Sequence, residues 1–102
     1  MISNTKPFLS SSDLFDLAID FELKAASAYC QYVSKRIQAQ NVLNAPKQYT
    51  AWGLDRNYEI RRFNRYQELT EQMTTLRCDA EDFRRAAKFN FDLAVKTEYA
   101  GQ

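Results

Sequence analysis

Histidine is absent from this chain of 102 residues, and glycine, proline, cysteine and methionine occur only twice each. The first absence excludes more chemistry than any motif present could add. Histidine is the usual general base and the commonest nitrogen ligand of metals. Without it a zinc site must be built from four thiolates or from carboxylates, and only Cys30 and Cys78 are available. The scarcity of glycine and proline excludes a different class of structure. A sheet protein of this size turns many times, and tight turns draw on those residues. The expected fold is therefore all-α, either a long-helix hairpin or a three-helix bundle, with dimerisation as a further way to complete a bundle.

A dominant charge of one sign is also lacking. Fourteen basic residues face 13 acidic ones, for a net charge of +1. Such a balance creates no bulk field to draw in nucleic acid or an anionic membrane. No apolar run approaches the ~20 residues of a membrane span. The opening MISNTKPFLSSS holds one lysine and no long apolar stretch, which argues against a signal peptide. These features predict a cytoplasmic location without a membrane partner, and leaderless secretion is the alternative. What the chain does have is bulk: 45% of its residues are hydrophobic and 14% aromatic, enough to order a core.

Residues 1–11 are polar and serine-rich with Pro7 inside, and are expected to form a flexible N-terminal tail ahead of one helical domain, 12–102. Ser12 is placed to cap the first helix, with Asp13 and Asp16 in the turn where the helix dipole favours negative charge. That helix is predicted to run to about Val42 and to stop at Asn44-Ala45-Pro46. Residues 44–54 form the connection, with room for one short helical turn after Pro46. Gly53, the only interior glycine, is expected to supply a positive φ or a close backbone approach. Asp55 or Asn57 can cap the second segment, and Gly101 lies just past its end. Residues 55–98 as one helix would be about 65 Å long. A break at Thr74-Thr75 or near Asp79 is the competing reading, and would give a third helix.

The first segment carries two adjoining apolar stripes at helical spacing. One holds Leu14, Leu17, Ala18, Phe21, Ala25, Ala28, Tyr32, Ala39 and Leu43; the other holds Phe15, Ile19, Ala26, Cys30, Val33 and Ile37. The second segment has a main stripe of Leu54, Tyr58, Tyr66, Leu69, Met73, Leu76, Ala80, Phe83, Ala87, Phe91 and Ala94. Ile60, Phe63, Cys78, Phe89 and Leu93 fall off that line. Two helices cannot cover all of this surface. The surplus calls for a third helix or for a second chain.

Few residues suggest chemistry. Glu22 falls in the apolar arc near Phe15, Tyr29 and Val33, where a carboxylate needs a partner such as Arg77 or Arg84. It is read as a structural ion pair or a snorkelling side chain rather than a catalytic acid. The segment Arg56 to Tyr66 interleaves cations and aromatics, as nucleic-acid binders do. Glu59, Glu68 and Glu71 flank it, however, and pair readily along a helix. Arg84, Arg85 and Lys88 follow Asp79, Glu81 and Asp82 in the same manner. Cys30 and Cys78 flank the apolar stripes, read as buried free thiols or, at an oxidising destination, as a bridge. No serine or threonine has an activating base, and there is no glycine-rich phosphate loop.

Two resemblances add little chemistry. The run AIDFELKAASAY, Ala18 to Tyr29, resembles the first helix of ferritin-like proteins, yet the Glu-x-x-His pairs of those di-iron centres cannot occur here. Trp52-Gly53 between two helices resembles the turn of the small hairpins exported by type VII secretion, which carry Trp-x-Gly. The two residues are adjacent in this chain, and the charged second segment and the cysteines also depart from that pattern. The likeness covers architecture alone, and implies a leaderless secreted hairpin as one alternative. Trp52 is otherwise read as a ring closing the end of the bundle.

The leading expectation is a non-enzymatic helical module, an adaptor, chaperone or inhibitor, that binds a protein partner, a second copy of itself, or both. Phage or bacterial factors of this size fit that class. Ile60, Phe63, Phe89 and Leu93 are the expected contacts, with Arg61 and Arg65 as rim charges. Glu22, Trp52 and Gly53 are assigned structural roles. No cofactor or metal is expected. A nucleic-acid-binding regulator using Arg56, Arg61, Arg62 and Arg65 is the second alternative.

Overall fold

A computed structural model describes residues 9–100. Helix α1 spans Ser11–Asn44, strands β1 and β2 span Tyr49–Thr50 and Gly53–Leu54, and helix α2 spans Arg56–Ala100. The chain is all-α in class, with two long helices joined by a short ribbon. Residues 1–8 of the expected tail, and Gly101, lie outside the described residues.

Each helix begins where a side chain can take an orphan amide. The Ser10 hydroxyl oxygen accepts from the Asp13 amide at 3.2 Å, and the Ser10 carbonyl accepts from Leu14 at 3.0 Å. Ser10 is thus the cap, two residues before the expected Ser12. In a run of three serines, composition alone does not distinguish them. Asp55 caps α2 as expected, its Oδ1 accepting from the Tyr58 amide at 3.1 Å. Glu59 follows in the first turn, toward the positive end of the dipole.

Helix α2 runs unbroken, which removes the third helix. Thr74 does not compete with the helix as a cap would. Its hydroxyl donates to the Thr70 carbonyl at 3.0 Å, inside the helical ladder. Asp79 is exposed, while Leu76, Ala80 and Phe83 are each half-buried. With no glycine or proline between Arg56 and Ala100, nothing in the backbone stops propagation.

The connection also departs from expectation, since no helical turn follows Pro46. Tyr49 pairs with Leu54 and Thr50 with Gly53 in an antiparallel ribbon, and the Asp55 amide donates to the Gln48 carbonyl at 2.9 Å. Gly53 has φ +115°, the positive angle expected of it. Thr50 stitches the tip twice: its hydroxyl donates to the Gly53 carbonyl and accepts from the Trp52 amide, both at 3.2 Å.

Buried and half-buried positions along α1 include 14, 18, 21, 25, 28, 32, 35, 39 and 42. Along α2 they include 62, 66, 69, 73, 76, 80, 83, 87, 90, 94 and 97. Both series alternate steps of four and three, the spacing of a coiled-coil seam. The described residues group into two compact units: 9–27 with 79–100, and Ala28–Cys78. In the first unit Phe15 meets Phe91 edge-on with ring centroids 5.5 Å apart, and Phe21 stacks on Phe83 at 6.3 Å. In the second unit Leu69 is completely buried.

The core is thin. Eight hydrophobic residues among those described are buried, and six of them are alanine: Ala18, Ala25, Ala28, Ala39, Ala87 and Ala94. Alanine permits close approach of two helices but removes little apolar area from water. Leu14 and Leu69 are the only larger members of that set.

Candidate functional site

The side chains left outside the seams define the candidate surfaces. In the first unit, Phe15, Ile19, Glu22 and Leu23 of α1 and Ala87, Lys88 and Phe91 of α2 line an open groove of about 440 Å³, floored by Ala18. Ile19, Leu23 and Phe91 are exposed along it. Glu22, expected to be buried against Arg77 or Arg84, is instead exposed and forms no ion pair with another described residue. The physical reason is the seam's period. Positions 21 and 25 turn inward, and residue 22 turns to the rim.

On α2 of the same unit, Phe89 and Leu93 point away from that groove. Phe89 is 67% exposed. At 100° per residue each lies about 160° around the helix from Phe91, on the side of Ala86. The first unit therefore presents two apolar surfaces.

In the second unit, Tyr29, Val33, Ile37 and Leu43 of α1 and Ile60 and Phe63 of α2 are exposed. Phe63, 60% exposed, borders a small cleft of about 100 Å³ with Val42, Leu43, Glu59, Arg62 and Tyr66. Ile60 and Phe63 thus belong to one unit and Phe89 and Leu93 to the other, so the four expected contacts form two pairs.

Three arginines are held by partners among the described residues. Arg62 donates from Nη1 to the carbonyls of Ala45 at 2.6 Å, Val42 at 3.4 Å and Leu43 at 3.5 Å, and pairs with Glu59 at 3.4 Å. Arg65 pairs with Glu68 at 2.7 Å and reaches Gln38 Oε1 at 3.4 Å. Arg85 pairs with Asp82 at 3.1 Å. Arg56 and Arg61 are exposed. The basic-aromatic segment is thus in part a helix-capping device.

Trp52 sits at the ribbon tip and is 97% exposed, with Tyr49 beside it also exposed. Its ring does not close the end of the helix pair, because the two-residue turn of Ala51 and Trp52 carries it beyond the last seam positions. Cys30 and Cys78 are both exposed and unbridged, not buried as read from their flanking positions.

Sequence reasoning placed Phe91 in the core and so missed the groove it lines. The available signal was the four-three spacing of Ala80, Phe83, Ala87 and Ala94, which puts Asn90 rather than Phe91 in the seam. Leu43 was misplaced in the same way, since Val42 takes the inward position.

Among the described residues, no group of three or more Cys, Asp or Glu is placed to hold a metal ion. No helix among them is long and apolar enough to cross a membrane. In comparisons with known proteins, no family model matches the chain, and no curated protein or solved structure matches it.

Proposed function

We propose that this chain is a small, non-enzymatic helical module that works by docking its exposed apolar faces on protein surfaces, as an adaptor, chaperone or inhibitor does. The observation that carries this reading is the inversion of size between core and surface. The buried set is mostly alanine, while Ile19, Leu23, Ile37, Ile60, Phe63, Phe89 and Phe91 stand exposed. Leaving such side chains in water forfeits about 1.5–3 kcal/mol each, and contiguous apolar patches mark interaction sites. A nucleic-acid-binding role draws less support, because Arg62 and Arg65 are spent on helix carbonyls and carboxylates.

The test compares affinity-purified wild type with Phe63→Glu and Phe89→Glu, each checked for helicity by circular dichroism. The expected result is a stoichiometric protein partner held by the wild type and lost from at least one folded variant. Folded variants that both retain every bound protein overturn the assignment of these pairs as contacts.

A further inference from the structure

We infer that the groove of the first unit is the seat of a second copy of this chain, joined about a two-fold axis parallel to the helices. The inference rests on the reading of the chain as an interaction module and names the occupant of one of its faces. Three observations lead to it.

The first is stability. A two-helix pair whose buried set is six alanines and two leucines buries too little apolar area to be robust alone. The deficit exists whenever the chain is folded. A second copy is the one partner always present at matching concentration.

The second is the spacing of the α1 rim. Phe15, Ile19, Glu22 and Ala26 follow the same four-three steps as the inward Leu14, Ala18, Phe21 and Ala25, shifted by one residue. A second seam of this kind accepts another helix running nearly parallel or antiparallel to α1. Phe15, Ile19 and Phe91 supply its apolar contacts.

The third is charge, which selects both the copy and the axis. Glu22 stands on the α1 rim of the groove and Lys88 on the α2 rim, with Arg84 one turn before Lys88 on the same side. None of the three forms an ion pair with another described residue. A two-fold axis across the helices would lay α1 on α1 and bring Glu22 against its own equivalent. An axis along the helices lays α1 of one copy over α2 of the other, antiparallel and at the same level. Glu22 then stands level with Arg84 of the second copy, with Lys88 about one turn farther along, and the reverse pairing follows by symmetry. A net charge of +1 sets no long-range repulsion against this approach.

The test uses the purified full chain alone, so it is independent of any heterologous partner. Sedimentation equilibrium should give twice the 11.9 kDa chain mass. Glu22→Lys, and separately the double variant Arg84→Glu/Lys88→Glu, should each weaken the dimer by at least about tenfold, since each creates like-charge contacts twice over. Mixing the two variants should restore a one-to-one heterodimer, because every rim contact then joins opposite charges. A pairing within one chain would produce no such rescue. A folded wild type that stays monomeric overturns the inference and leaves the interaction reading to its own Phe63 and Phe89 test. A dimer indifferent to both charge variants overturns it as well, by placing the contact elsewhere.

Discussion

The Arg62 guanidinium donates to the Ala45 carbonyl at 2.6 Å and so ties the start of α2 to the end of α1. Helix C-termini leave carbonyls without intrahelical partners, and the last turn of α1 contains no basic residue of its own. The cation that answers the negative end of α1 therefore comes from α2. Arg62→Ala is expected to destabilise the chain by about 1.5–3 kcal/mol, the range for hydrogen bonds from a charged donor. It also strips Glu59 of its ion-pair partner among the described residues, although Glu59 Oε1 is already buried without a hydrogen bond there. Arg62→Lys should recover only part of the loss, because an ammonium lacks the planar fork that reaches several carbonyls. Urea denaturation measures both, and an Arg62→Ala variant as stable as wild type would remove the capping role.

Gly53 offers a cleaner separation of backbone strain from crowding. A Cβ built on it meets nothing within 4 Å, so at φ +115° any penalty for a side chain is conformational. Gly53→Ala should cost about 1–3 kcal/mol. D-alanine, introduced by chemical synthesis, prefers positive φ and should be tolerated. Equal destabilisation by both enantiomers in thermal melts would contradict this account.

The seam is sensitive in both directions. Leu69→Ala should destabilise by about 2–5 kcal/mol, as expected for a completely buried leucine. Ala87→Leu, at a position only 2% exposed, should cost about 1–3 kcal/mol by forcing the helices apart. Denaturant midpoints at unchanged slope are the readout. Stabilisation by Ala87→Leu would mean that this seam has unfilled space.

Trp52, the only tryptophan, reports directly on the ribbon tip. Its emission should be that of an indole in water and fully open to iodide quenching. Trp52→Ala should change stability by no more than about 0.5 kcal/mol. Blue-shifted, protected emission in the purified chain would show that the ring is covered by another molecule.

Much of the architecture is legible in the amino-acid sequence. The lack of turn residues pointed to helices, Pro46 and Asp55 bounded the connection, and Gly53 was identified as the residue needing positive φ. Most of the main stripe of α2 was also read correctly, from Tyr66 to Ala87. The errors arose where small angular differences accumulate. Stepping at 100° per residue drifts about 20° per heptad from a 3.5-residue seam, enough to exchange Asn90 for Phe91 and Val42 for Leu43. Those exchanges moved two large side chains from the core to the surface, and with them the groove.

Amino-acid composition and spacing by themselves determined that this protein is helical, where its helices are punctuated, and that it carries more apolar surface than a helix pair can hide. These are local properties, set by backbone propensity and the period of the pattern. Tertiary structure alone decided which serine caps α1, that α2 continues past Thr74, that Arg62 serves the far end of α1, and that Glu22 and Trp52 face outward. Each of those outcomes turns on which groups a second segment brings within hydrogen-bonding or packing distance, and no single stretch of sequence contains that information.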